Sequence, residues 1–141
     1  MGNYTILFKA RVTGTKEFLE STAINRQIDM FGNEHTFLGI PEKSKFAPLQ
    51  ETLSWKEVDA WTVGRYTGME DANKTKIYEK DVIRQHDGKV FLVFWSENYL
   101  QFRARDLNDN ESFKSLCDFV PGLITVVGTQ FGYTLTAVVE D

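Results

Sequence analysis

Three acids stand close together near the middle of the chain: Asp71, Glu79 and Asp81. Carboxylates that converge on one cleft can hold divalent cations, and a two-metal hydrolase needs three or four of them there. These three instead flank residues of turn type, where Asp and Glu side chains commonly accept backbone N–H groups. Their neighbours favour that structural role. The two histidines, His35 and His86, stand in or beside turns, far apart in sequence. They lack the nearby Cys or the His-x-His spacing of a metal pair. His86 beside Asp87 could form part of a triad with Ser96, but nothing in the spacing requires it. Cys117 is the single cysteine, which excludes an intrachain disulfide and a thiolate zinc cage. Between Leu116 and Asp118, next to Phe119, it reads as a small core filler with no His to generate a thiolate. The run Gly64-Arg65-Tyr66-Thr67-Gly68 has neither the length nor the Lys-Ser/Thr of a phosphate-binding loop. No catalytic residue, cofactor or metal is expected.

The most distinctive surface chemistry is aromatic and basic. Tyr99, Gln101, Arg103 and Arg105 alternate onto one face of a strand, with Trp95 and Arg84 expected nearby on neighbouring strands. Such a face can stack bases and hold phosphates. The competing reading is that Arg103 and Arg105 solvate an outward face and pair with cross-strand acids. The charge balance favours the second: 16 Lys and Arg against 20 Asp and Glu give a net charge of −4. That is no polycation coating nucleic acid by bulk charge.

The elements that must position these residues are strands. The 141 residues are 42% hydrophobic and 13% aromatic, which supports a packed interior and excludes a disordered chain, a collagen or a coiled coil. Residues 4–12 alternate, with Ile6, Phe8, Ala10 and Val12 on one apolar face. Residues 13–16 read as a turn and 17–24 as the returning strand. A second turn falls at 31–34, and a short strand at 36–40 ends at Pro41, which has no N–H for a ladder. Residues 41–48, bracketed by Pro41 and Pro48, read as a loop; 49–55 is ambiguous. Residues 59–66 read as a strand carrying Trp61, Val63 and Arg65 on one side. Asp87-Gly88 predicts a two-residue type I′ hairpin turn. Its return strand, 90–95, is apolar on both faces and therefore central. Asn110 is placed to cap a helix in which Phe113, Leu116, Cys117 and Val120 form one stripe; Pro121-Gly122 stops it. Strands follow at 123–131 and 133–139. The fold expected is mainly β with minor α: an N-terminal β-rich segment, 1–58, joined to a small barrel over 59–141, as two parts or one continuous domain.

The central block is the most specific part of the chain. Thr62-Val63-Gly64-Arg65-Tyr66-Thr67-Gly68-Met69-Glu70-Asp71-Ala72-Asn73, followed by Ile77-Tyr78-Glu79-Lys80-Asp81-Val82-Ile83, resembles the YopX-like family of phage and prophage proteins. The start Ile6-Leu7-Phe8-Lys9-Ala10 and the later Val126-Val127-Gly128-Thr129-Gln130-Phe131 match flanking blocks in the same order and spacing. Lys74 and Lys80 stand where the pattern has glycine, so those turn positions are expected to use ordinary right-handed or extended backbone. Thr129-Gln130 replaces the usual Asn-Ile. The resemblance implies a small β-rich phage accessory protein and brings no catalytic residue or ligand with it. In the block, Gly64 and Gly68 allow tight backbone paths around Tyr66, while Asp71 and Asn73 close Asx-type turns. A strand, tight turn and long returning strand also open many SH3-like barrels, by analogy of fold.

The function expected is binding without catalysis, to an unidentified phage or host protein or to further copies of the chain; the alternative is nucleic acid held by the face of residues 99–105. The longest apolar run, residues 90–95, is too short to span a membrane. The first residues show no secretory signal pattern. A soluble protein of the bacterial host's cytoplasm is expected.

Overall fold

The computed structural model describes residues 6–43, 51–109 and 111–132. Tyr4 and Thr5 of the first strand, residues 44–48 of the expected loop, Asn110 and the strand at 133–139 lie outside them. The chain forms two compact units, residues 1–65 and 66–141.

In the first unit, β1 (Phe8–Arg11) and β2 (Phe18–Ser21) form the expected hairpin. Its turn is closed by the Thr15 N–H on the Val12 carbonyl and by Gly14 at φ 81°. The returning strand does not run to Ile24. The Ser21 hydroxyl donates to the Gly39 carbonyl and accepts the Ala23 N–H, which bends the chain into β3 (Ala23–Ile28). β3 pairs with β4 (Glu34–Lys43), and β4 with β5 (Glu51–Val58), all antiparallel. β4 therefore passes through Pro41 where the sequence suggested a stop. The β3 ladder ends at Gly39, so Pro41 falls where β4 has become an edge, a position that tolerates a missing N–H. Of the expected strand at 59–66, Ala60–Thr62 form a single 3-10 turn instead, and strand begins only at Gly64. Thr62 donates its hydroxyl to the Asp59 carbonyl and accepts the Arg11 N–H, and those bonds compete with a ladder. Ala10, Leu38 and Val58 are the buried core, with Phe8, Leu19, Ile24, Ile40 and Val63 packed on them. Ile6, expected on that apolar face, is exposed.

β6 (Gly64–Glu70) leads into the second unit. There it pairs with β7 (Lys76–Tyr78), with Tyr66 opposite Tyr78 and Glu70 opposite Lys76. The extra residues on β6 form a bulge around Gly68, at φ 88°, the conformation a glycine takes without strain. The Thr67 hydroxyl ties it down by donating to the Ile77 carbonyl. β8 (Asp81–Gln85), β9 (Val90–Ser96), β10 (Gln101–Asp106), β11 (Phe113–Ser115) and β12 (Ile124–Thr129) form one antiparallel sheet in the order β11-β10-β9-β8-β12. It curves into a half-barrel, the mainly β architecture expected. β9 is central, as its two-sided apolarity predicts.

Four expectations fail in this unit. The β8–β9 hairpin has a three-residue loop, not a two-residue type I′ turn. Gln85 N–H donates to the Lys89 carbonyl, Gly88 N–H donates to Gln85, and only Gly88 takes positive φ. The expected helix is absent: β11 pairs Phe113 with Arg105, and a 3-10 turn, Leu116–Asp118, follows. Of its supposed stripe only Leu116 enters the core; Phe113, Val120 and Cys117 are exposed, so Cys117 is no core filler. Lys74 and Lys80 adopt left-handed backbone at φ 66° and 73°, not the ordinary conformations expected.

Candidate functional site

Asp71 organises the glycine-rich block. It is 4% exposed. Its Oδ1 accepts the N–H groups of Asn73 and Thr75 at 2.8 and 2.9 Å, and its Oδ2 accepts that of Val126 at 2.9 Å. Burial pushes this carboxyl up, and those three N–H groups outweigh it, holding it below the usual range. Together with the Ala72 N–H on the Ile124 carbonyl, Asp71 covers the outer edge of β12, which would otherwise present free ladder groups. Asp81, fully buried, accepts the Tyr78 N–H at 2.8 Å. Glu79 sits between β7 and β8. Among the described residues no three acids, histidines or cysteines converge as a metal site would need. Tyr66 stacks obliquely on buried Tyr78 at 5.6 Å; burial first, then the Glu70 carboxylate, pushes its phenol up.

The His86, Asp87 and Ser96 grouping is not assembled. Asp87 accepts the Lys89 N–H, while buried Ser96 lies at the far end of β9, where its Oγ accepts the Tyr99 N–H. Six steps along the strand separate Val90, beside the loop, from Ser96, about 20 Å.

Part of the aromatic-basic face comes together, with Tyr99 in the turn before β10 and not on the strand itself. Gln101, Arg103 and Arg105 alternate on one side of β10. The Arg103 guanidinium lies 4.3 Å over the Tyr99 ring and donates to Gln101 Oε1 at 3.0 Å. Neither Arg103 nor Arg105 forms an ion pair with an acid among the described residues, contrary to the cross-strand pairing expected. Between them the register places Phe94 and Phe113, whose rings meet edge to face at 5.9 Å. Sequence reasoning missed both, Phe113 because it was assigned to a helix. Trp95 does not belong here. It alternates to the opposite side of β9 and packs on Phe102 at 5.1 Å. Arg84 shares the face but stands two strands away, about 10 Å, where it lines a shallow cavity of about 450 Å³ with Gln85, His86, Leu123 and Thr125.

The first unit carries a feature the sequence did not single out. The β3–β4 tip presents Ile28, at the end of β3, and Met30 and Phe31, in the loop, at 75%, 90% and 81% exposure. Asp29 shapes it: Oδ1 accepts the N–H groups of Phe31 and Asn33, both at 2.9 Å. Oδ2 meets His35 Nε2 at 2.9 Å, and His35 Nδ1 meets Glu57 Oε2 at 2.8 Å.

The model of one family, described as YopX protein, matches residues 9–132. No curated protein matches the chain.

Proposed function

The chain belongs to the YopX protein family, and from that premise we propose that it is a phage-type accessory protein that works by binding a protein surface, its own copies included, and catalyses no reaction. What supports this reading is the β3–β4 tip. Contiguous exposed apolar patches on proteins mark interaction sites, and here exposed Ile28, Met30 and Phe31 are clustered at a tip braced by the Asp29 carboxylate. A braced apolar tip loses less entropy on docking than a loose one. The test is light scattering across a wide concentration range, on the native chain and on a variant carrying Met30→Ser and Phe31→Ser. Self-association in the native chain that the variant loses is the expected result. A strict monomer throughout removes self-assembly and leaves a different protein as the partner.

A second reading, nucleic-acid binding, is favoured by the β10 face. Two arginines that pair with no acid among the described residues flank an aromatic pair beside exposed Tyr99. Contacts of this kind hold phosphates and stack bases. Fluorescence anisotropy with a single-stranded oligonucleotide at low salt tests it, since such binding is strongest there. Binding lost in a variant with Arg103→Ala and Arg105→Ala supports it; no binding at low salt disposes of it.

A further inference from the structure

The two contacts of His35 impose a protonation state. Both ring nitrogens stand within 2.9 Å of a carboxylate oxygen. Ionised carboxylates only accept hydrogen bonds, and a neutral imidazole has one N–H to give. Both contacts can therefore be hydrogen bonds only when the ring carries two protons. We propose that His35 is a proton-operated clamp, which when doubly protonated ties the Met30–Phe31 loop, through Asp29, to β5, through Glu57.

Loss of one proton weakens the tie to Asp29 in either tautomer. With the proton on Nδ1, a ring lone pair faces Asp29 Oδ2. With the proton on Nε2, that bond survives to the ionised carboxylate but loses the attraction of the ring's positive charge, and Glu57 faces the lone pair. Asp29 Oδ1 also receives the Phe31 and Asn33 N–H groups, so whatever loosens Asp29 loosens the backbone of the tip.

Among the described residues, the surroundings leave these two acids as the charges that act on the ring. From β3, the residue opposite His35 is Gln27, which is uncharged. Arg26 and Glu34, paired at 3.7 Å, alternate to the other side of the sheet. From β5, Lys56 also lies on that other side, opposite Leu38. Asp59, just beyond β5, is engaged by Arg11 at 3.1 Å. Phe37 lies beside the ring at 6.5 Å. The direction of titration agrees with the geometry. Glu57 first and Asp29 second raise the imidazole above its ordinary value, against a smaller opposing effect of burial, and His35 in turn is the main cause that lowers Asp29.

As a device in the fold the clamp needs no partner; as control over docking of the tip it rests on the binding reading above. The experiment is a pH series by NMR on the full native chain, reading the His35 ring signals and the exchange protection of the Phe31 and Asn33 amides. His35 is expected to titrate above the ordinary histidine value, with protection of both amides falling through the same midpoint. Glu57→Gln is expected to lower that midpoint, and His35→Gln to abolish the pH dependence of protection. A histidine titrating at or below its ordinary value, or protection flat through the titration, overturns the clamp. Should His35→Gln fail to fold, the native titration and the Glu57→Gln midpoint decide. No partner enters this measurement, so failure of the clamp and failure of the Met30–Phe31 docking variant are separate results.

Discussion

Thr36 is 1% exposed, and its Oγ1 meets no hydrogen-bond partner among the described residues. A buried hydroxyl without a partner costs more than an apolar group of its size. Thr36→Val is therefore expected to stabilise the first unit by about 1 kcal/mol, read as a higher urea midpoint; a lower one would mean that the hydroxyl is satisfied. Asp71 is the opposite case, since three backbone N–H groups depend on its carboxylate. Asp71→Ala is expected to cost about 3 kcal/mol, from roughly 1 kcal/mol for each stranded donor. Asp71→Asn keeps one acceptor oxygen and should lose less. Because the folded carboxyl titrates below its usual range, its contribution is complete above the unfolded value and lost as pH falls through the folded one. These residues were unequally legible. The neighbourhood of Asp71 announced a turn, and the structure gives it one. The His35 clamp did not show, because Glu57 lies 22 residues away and only the β4–β5 register brings it to the ring.

At the scale of elements, alternation exposed most of the strands, and Asp87-Gly88 located the β8–β9 hairpin. What stayed hidden was decided by distant partners. Phe113, Leu116, Cys117 and Val120 fall at helical spacing by coincidence. Pairing of Phe113 with Arg105 outweighs a stripe of which one member is buried. β5 read as ambiguous because its larger apolar side chains, Leu53 and Trp55, remain half exposed even when paired with β4. The loops hold the sharpest lesson. The family pattern puts glycine where Lys74 and Lys80 stand, and both lysines occupy the left-handed region. A side chain there costs roughly 1–2 kcal/mol, against a smaller gain from restricting the unfolded chain, about 0.4–1 kcal/mol. Lys74→Gly is thus expected to raise stability by about 0.5 kcal/mol, read from the denaturation midpoint. A loss on that change would show that the Lys74 side chain contributes more than its strain.

Across the whole molecule the two units should answer to pH in different windows. The first unit holds the clamp, which needs Asp29 ionised and His35 doubly protonated. Asp29 titrates below its usual range and His35 above its own. The stability His35 contributes is therefore complete below the ordinary histidine value and lost as pH rises through the folded one. The second unit depends on Asp71, whose window has only the acid limit. Raising the pH from mildly acidic, through the histidine range, should then loosen the loop around Met30 and Phe31 while leaving the Asn73, Thr75 and Val126 amides protected. Lowering it through the carboxyl range should release those three amides as Asp71 protonates. Residue-resolved amide exchange distinguishes the units directly. Uniform loss of protection along the chain at both limits would mean that net charge, not these two sites, governs the response. A response confined to the named amides would tie each limit to one side chain, and Asp71→Asn should then abolish the acid limit of the second unit while leaving the histidine limit of the first in place.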